Sequence, residues 1–576
     1  MYVDTVPNRN SPPAVLLRSS WREGSKTRKK TLANLSSWPP EQVERLRRVL
    51  KGEPLVSPEE LFVITRSLPH GHVEAVLGTL RKLGVERIIA SQPSQQRDLV
   101  VAMIVEQILH HDSKLADSRN WHTTTVAQEL GVADADEEDL YRALEWLYRG
   151  QSRIEKKLAG KYFSEGCYAF YDVSSSYYEG HCCPLAAFGH DRDKKKGKRI
   201  IVYGVLAEQE GRPVAVQVYR GNTGDSTTVL DQVSKLQGRF ALKKVVLVGD
   251  RGMLTETQVQ MLRGYPGVGW ISALRSEAIG ELIKDGIVHA SLFDTDNLAV
   301  IHDAPGHPGE RLVACYNPFL AADRRRTRDE LLEATEQALG RIEREIARRS
   351  KKPLTAAEIG MKVGRVLGKY KVGKHFQSTI NDSELVYCRD QKRIEQEQQL
   401  DGIYVIRTSE PEQRLSASDT VRQYKNLSQV EVIFRTVKSL DIRIRPIRHR
   451  IEERVRGHIF MCMLAYYVEW HMRKALAPLL FEDEEIGKLR RTRDPVAPAE
   501  PSASAKRKKA RAQRSKEGFP VHSFQTLLQA LSTRCRNTCQ AKGQGAETAF
   551  TQVTEPDALQ RRALELLGLM HPVAST

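Results

Sequence analysis

Apolar and polar positions along the chain change their rhythm several times. The stretch up to about Leu50 reads as a hairpin followed by a short helix begun at Trp38-Pro39-Pro40-Glu41, and residues 70–165 carry apolar positions at helical spacing. From Cys167 the texture turns to β. Residues 167–173 form one strand, and residues 199–207 and 212–220 form two more around the turn Glu208-Gln-Glu-Gly211. A helix over about 226–237, an unbroken apolar strand over 244–249, a helix over 255–262 and a strand over 269–273 complete the order β-β-β-α-β-α-β.

Residues 276–400 interrupt this α/β order with mixed β and long charged helix, including 324–349 and a glycine-rich basic piece over 351–374. A strand over 402–407 then leads into a helix over about 420–440, with Asp419 or Thr420 as its N-cap, and further helix covers 452–476. Residues 490–518 are rich in Pro, Ala, Ser, Lys and Arg and predict a disordered basic linker. The resulting domain plan is a mostly helical region over 1–165, a core in two parts over 166–275 and 401–480, an insertion over 276–400, a basic linker over 481–520 and a helical C-terminal region over 521–576.

Charge narrows the class. The 576 residues include 89 Lys and Arg against 72 Asp and Glu, a formal +17, so a polyanion is the expected partner, nucleic acid ahead of a membrane surface. Mean hydropathy is −0.45, and the longest strongly apolar run, residues 459–468, is far short of the roughly 20 residues that span a bilayer. No membrane partner is expected. The start MYVDTVPNRNSPP lacks the basic end and apolar stretch of a secretory signal, and eight scattered cysteines make neither a disulfide framework nor a zinc pattern. A cytoplasmic protein with reduced thiols follows. Residues 15–50 hold nine Lys or Arg against three Glu and predict a phosphate-contacting element. Residues 123–132 have the rhythm of a helix-turn-helix, but Asp134, Asp136, Glu137, Glu138 and Asp139 follow directly and would repel phosphate.

Three carboxylates stand where chemistry is plausible. Asp172 ends the first strand in Tyr171-Asp-Val-Ser-Ser-Ser-Tyr177, and Asp250 ends the fourth in Val248-Gly-Asp-Arg-Gly252. If the two strands are neighbours, both acids face one crevice at the strand ends, where open α/β sheets place their sites. Two close carboxylates repel unless a cation lies between them, and Mg²⁺ suits an all-oxygen pair. Glu431 is the third. At about 100° per residue, Leu427, Val430, Ile433, Phe434 and Val437 form one stripe of the 420–440 helix, and Tyr424, Glu431, Arg435 and Lys438 form the adjacent stripe. Asp225 reads as the N-cap of the helix that follows it, and Glu452 and Glu453 as charge partners of the surrounding arginines.

Together these motifs resemble the DDE transposases of the bacterial insertion-sequence-four superfamily, over roughly residues 168–473. The resemblance rests on Tyr171-Asp-Val-Ser-Ser-Ser-Tyr-Tyr-Glu179, Tyr219-Arg-Gly-Asn-Thr-Gly-Asp225, Val248-Gly-Asp-Arg-Gly-Met253, and Tyr424-Lys-Asn-Leu-Ser-Gln-Val-Glu431 with Lys438. It implies a ribonuclease-H-like α/β core with a large insertion before the catalytic glutamate helix. It also implies a catalytic and metal-binding triad of Asp172, Asp250 and Glu431 holding two Mg²⁺ ions, which Mn²⁺ can replace. The family's Tyr-x2-Arg-x3-Glu-x6-Lys signature maps onto Tyr424, Glu431 and Lys438, but its arginine is Leu427 here, and Arg435 stands eight residues further on, about 12 Å along a helix axis.

The function implied is binding of the terminal inverted repeats of an element, followed by metal-dependent cleavage and strand transfer into target DNA. Tyr424, Arg435, Lys438, Arg251, Arg443 and Arg445 are the expected DNA contacts. The resemblance also implies a homodimer in the synaptic complex and a bacterial cytoplasmic protein held to the nucleoid through DNA. The alternative is a catalytically inactive DNA-binding remnant or repressor of the element, for which Leu427 is the one feature in favour.

Overall fold

A computed structural model describes residues 1–9, 11–53, 61–349, 351–497, 500–510, 513–542 and 546–571. The chain forms two compact units, one of residues 1–68 with 535–555, the other of residues 69–534 with 556–576.

In the first unit, strands β1 (Tyr2–Val6), β2 (Ala14–Glu23) and β3 (Lys26–Asn34) form an antiparallel sheet in that order. The Pro40–Leu50 helix closes it through a small core of Val3, Leu35 and Val43, with Val15, Leu17, Leu46 and Leu50 packed around. The second sheet of this unit joins β4 (Phe62–Pro69) to β15 (Cys535–Ala541) and β16 (Phe550–Val553). Residues near the C-terminus, read from sequence as helical, thus include two strands. Their partner lies more than 460 residues upstream, and such non-local pairing leaves no local trace.

The larger unit is mixed α/β around an eight-stranded sheet. Its strands are β5 (Cys167–Tyr177), β6 (Ile200–Ala207), β7 (Pro213–Arg220), β8 (Val245–Gly249), β9 (Val268–Ala273), β10 (Leu298–His302), β11 (Arg311–Tyr316) and β14 (Ile403–Thr408), ordered β10-β11-β14-β9-β8-β5-β6-β7. β5, β8 and β9 run parallel, and the remaining pairs are antiparallel. β6 and β8 are buried at every position, as strands covered on both faces must be.

One cover is helical. The Gln95–Leu109, Glu137–Tyr162 and Glu452–Leu476 helices pack on one another, and the last two also pack on β7. The apolar run at 459–468 lies in the third of these, every residue of it buried. Among the described residues no helix is long and apolar enough to cross a membrane.

The 276–400 stretch divides its contribution. β10 and β11 extend the main sheet beyond β14, while the Pro318–Arg348 and Ala356–Tyr370 helices and the hairpin of β12 (Phe376–Asn381) and β13 (Glu384–Arg389) share a core of their own around Leu339, Ile359 and Phe376. The stretch at 490–518, expected to be disordered, is anchored in its described residues. Lys508 is buried, and its ammonium donates to the Ala477 and Glu482 carbonyls at 2.5 and 2.9 Å and pairs with Glu484. Composition predicted disorder, but Lys508 finds two carbonyls and a carboxylate to satisfy it.

The helix expected at 420–440 begins earlier and is broken. Ser416 caps it by accepting the Asp419 N–H, and it runs as Ala417–Asn426, then Ser428–Arg435, then a wider π-type turn over Thr436–Leu440. Neither Asp419 nor Thr420 is its N-cap. The apolar stripe of Leu427, Val430, Ile433, Phe434 and Val437 is buried throughout.

Candidate active site

The parallel pairing of β5 with β8 sets Tyr171 opposite Gly249, so the next residues, Asp172 and Asp250, lie side by side; Asp250 follows the end of β8, but Asp172 does not end its strand, because β5 runs on to Tyr177 against β6. Each carboxylate is fixed from its own backbone. The Val173 N–H donates to Asp172 Oδ1 at 2.7 Å, and the Arg251 N–H donates to Asp250 Oδ1 at 2.6 Å. Glu431 comes from the Ser428–Arg435 helix, which lies against β5 and buries Val430, Ile433 and Phe434 there. The Phe434 ring meets Tyr203 of β6 edge-on, with centroids 5.9 Å apart. This packing leaves Glu431 on the exposed side of the helix.

Electrostatics ties the three acids together. The Asp172 carboxyl is pushed up to about 7, first by burial, then by the charges of Asp250 and Glu431, against the pull of the Val173 N–H and of Arg192. The Tyr424 phenol is pushed up to about 12 by burial and by Asp250, Glu431 and Asp172. Tyr424 therefore stands near the same three carboxylates, about two turns before Glu431 and on the other side of the break at Leu427. No described ion pair takes Asp172, Asp250 or Glu431.

The other basic residues expected here are dispersed in role. Lys438 is buried, its ammonium 3.1 Å from Asp193 Oδ1, and Arg445 donates to the same oxygen at 2.5 Å. The helical projection put Lys438 on the Glu431 stripe. The π-type turn at 436–440 departs from the α-helical pitch that projection assumed, and the side chain pairs inward. Arg251, Arg435 and Arg443 are exposed, Arg443 at a left-handed φ of +48°. Of the later arginines, Arg454 pairs with Glu138 and Glu145, and Arg456 pairs with Glu452 and donates to the Val218 carbonyl at 2.7 Å. Arg454 thus ties the Glu452–Leu476 helix to the Glu137–Tyr162 helix, and Arg456 ties it to β7. The acidic run after residue 132 accordingly meets a guanidinium, and Asp136 and Asp139 form a capping box for the Glu137–Tyr162 helix.

Sequence reasoning missed Asp193 and Arg192. Asp193 is 1% exposed, accepts the Tyr177 N–H at 3.1 Å and anchors both Lys438 and Arg445. Arg192 pairs with Asp225, so that carboxylate is not a helix cap; Gly224 occupies the cap position. The local string His190-Asp-Arg-Asp-Lys-Lys-Lys reads as a solvated loop, and its partners lie far away in sequence.

Among the described residues, the one acid and histidine group whose ligand atoms all fall within 4.8 Å is Glu256, His307 and Glu310. It is an ion-pair network: Arg407 donates to both Glu310 oxygens at 2.5 Å and to Glu256 at 2.8 Å, and Arg263 adds a bond to Glu310 at 3.1 Å. Its carboxylates are committed to guanidinium groups. Asp172, Asp250 and Glu431 are spaced more widely, but they carry no such neutralisation.

Residues 178–468 match the transposase DDE domain family, half of the chain, and the protein belongs to that family. The match includes Asp250 and Glu431 and begins after Asp172. Residues 3–58 match the N-terminal domain of IS1634 family transposases, which makes the chain a DDE transposase of an insertion-sequence family. A search of the curated proteins found no match. Among solved structures, a piggyBac transposase synaptic complex with hairpin DNA, determined by electron cryo-microscopy, aligns at 10% identity and a TM-score of 0.33, covering 70% of this chain and 72% of that one.

Proposed function

We propose that this transposase binds the terminal inverted repeats of its element and catalyses metal-dependent DNA cleavage and strand transfer, with Asp172, Asp250 and Glu431 as the catalytic and metal-binding triad. The observation that carries this reading is the missing cation. Every fully buried Asp or Glu among the described residues has a Lys, Arg or His partner, from Glu106 with His110 to Glu469 with Arg473, whereas here three acids press on one another and none of the three is in a described ion pair. Asp172, partly buried and facing two more acids, has none. A charge left in such a place is expensive unless an ion compensates it.

The donor set consists of hard oxygens, which favours Mg²⁺ or Mn²⁺ over metals that seek nitrogen or sulfur. Two such ions held by the triad would activate the attacking oxygen and stabilise the leaving oxygen. The chain's own residues supply the rest of the site. The Val173 and Arg251 amides hold the two aspartates in place, and Tyr424 stands near all three acids. Arg251, Arg435 and Arg443 are exposed to meet backbone phosphates, and Lys438 and Arg445 fix the loop beside the site through Asp193. In the first step water attacks a phosphodiester and releases a 3′-OH. In the second, that 3′-OH attacks a target phosphodiester, one P–O bond forming as another breaks, so no nucleotide cofactor is consumed.

The order β7-β6-β5-β8-β9, with β6 alone antiparallel to the other four strands, supports reading residues 166–275 and 401–480 as a ribonuclease-H-like core around the 276–400 insertion. Double-stranded DNA, a second copy of the chain in the synaptic complex, and a bacterial cytoplasmic setting on the nucleoid belong to the same proposal. The inactive-remnant reading is not favoured by a site that keeps all three acids.

The test is cleavage and joining of a short duplex ending in the element's terminal repeat, with Mg²⁺ or Mn²⁺. Asp172→Asn, Asp250→Asn and Glu431→Gln should each abolish cutting in a folded protein. Wild-type cutting by any of them would remove that residue from the triad.

A further inference from the structure

The β2–β3 hairpin is built unlike the rest of its unit. Its base, from Ala14 to Leu17, packs on the small core with Val3, but from Ser20 onward β2 is exposed, and β3 is exposed at all nine positions. A register irregularity between Leu17 and Arg18 separates base from tip, a feature that bends and twists a ribbon. The tip is strongly basic: residues 18–30 carry six Lys or Arg against one Glu.

The register shows how these charges are displayed. Trp21 faces Arg28, Glu23 faces Lys26 and Ser19 faces Lys30, so Trp21, Lys26, Arg28 and Lys30 share one side, while Arg22 and Lys29 lie on the other. Arg18 is used by Asp4 and Arg28 by Glu23. Among the described residues Arg22, Lys26, Lys29 and Lys30 have no acidic partner. Lysines on an edge strand can serve merely to block edge-to-edge pairing, and β3 is such an edge. β2 pairs with β1 only as far as Arg18, so beyond it both strands of the ribbon are edges and that purpose extends to Arg22, but it does not account for a Trp21 that is 48% exposed. An aromatic ring held in water among cations needs a partner with both charge and apolar surface.

We propose that residues 18–30 form a two-stranded ribbon that enters the major groove of double-stranded DNA, with Arg22, Lys26, Lys29 and Lys30 on the phosphates and Trp21 against base edges. The dimensions agree. Six residues of strand extend about 20 Å at ~3.4 Å each, and paired strands lie about 5 Å apart, within a groove about 12 Å wide and about 8.5 Å deep that admits a two-stranded β-ribbon. The neighbouring Pro40–Leu50 helix is a weaker choice, because its Arg47 pairs with Glu44 and its Arg48 with Glu53. The proposal rests on the reading that this transposase acts on duplex DNA, and it names the element that grips it.

The test uses the full chain and a 30-base-pair duplex without divalent metal. Each phosphate contact contributes about 0.9 to the slope of log K against log[salt], so changing Arg22, Lys26, Lys29 and Lys30 to Ala should lower that slope by about 3 to 4. The milder pair Lys26→Gln and Lys30→Gln should lower it by about 2 by the same relation. Methylation of guanine N7, which faces the major groove, should block binding. An unchanged slope in both variants, or interference confined to adenine N3 in the minor groove, overturns the ribbon. Cutting of a terminal-repeat duplex with Mg²⁺ is scored separately. Cutting with unchanged slopes removes the ribbon alone, whereas slopes that fall in a chain that never cuts support the ribbon and remove the catalytic reading.

Discussion

Lys438 donates to the Asp193 carboxylate at 3.1 Å across 245 residues of sequence, and Arg445 donates to the same oxygen. One nearly inaccessible carboxylate thus holds two cations beside the triad. Burial draws the Lys438 ammonium down while Asp193 works to keep it charged. Removing one member of a buried pair typically costs about 3–5 kcal/mol, because the survivor is left uncompensated. Asp193→Asn should therefore lower thermal stability sharply, and adding Lys438→Met should restore part of the loss. A double mutant no more stable than Asp193→Asn alone would show that the pair is not a unit.

Asp172 yields a pH prediction in metal-free protein. Its carboxyl is pushed up to about 7 by burial and by two neighbouring acids, above its unfolded value near 4. A raised acid favours folding below the unfolded pKa, and that advantage is lost as pH rises through the folded one. Asp172→Asn should match wild type in melting temperature near pH 4 and become the more stable protein above pH 7, by on the order of 2 kcal/mol once partial solvent screening is allowed for. Adding Mg²⁺ at pH 8 should stabilise wild type more than the variant. A melting difference independent of pH would contradict the crowding of these acids.

How far the sequence carries can be judged on the helix that bears Glu431. Its apolar stripe from Leu427 to Val437 is legible because burial on one face imposes a 3.6-residue period. The adjacency of the Asp172 and Asp250 strands is not legible from local order, since two strands and a helix intervene between β5 and β8, and β7, the strand directly before that helix, lies at the sheet's edge. Lys438 is not legible either, because the π-type turn at 436–440 shifts it, and no composition signals such a turn. Asp193 and the pairing of β4 with β15 depend on residues hundreds of positions apart, Arg192 on one 33 positions away, and Lys508 is buried by carbonyls that any sequence possesses.

Acidification should destabilise the fold through its neutral histidines. Burial draws His72 down to about 3 and His458 and His471 to about 4, and His449 well below its ordinary value. In each case the unfolded chain binds a proton near pH 6.5 that the folded chain refuses, so stability declines as pH falls through 6.5 and levels off near the folded values. His110 works in the opposite direction, raised by its bond to Glu106. Melting curves between pH 7 and 4.5 should show a falling midpoint, and His458→Gln should flatten the fall. An equally steep fall in that variant would mean His458 is not among the groups responsible.

Leu427 occupies the position where the related signature carries arginine, and the structure shows what a guanidinium would meet there. The residue is 8% exposed, ends the Ala417–Asn426 helix and starts the next, and belongs to the main core beside Val430. Leu427→Ala should cost about 2–4 kcal/mol as a buried leucine truncation. Leu427→Arg keeps the alkyl stem against the core but must carry its charge out through the rim, so it should lose stability by about 1–3 kcal/mol. Calorimetry and the terminal-repeat cleavage assay together decide the matter. If this chain has replaced a phosphate contact with packing, Leu427→Arg is less stable and cuts no faster than wild type. A variant that melts normally and cuts faster would show instead that the site still has room and use for the arginine.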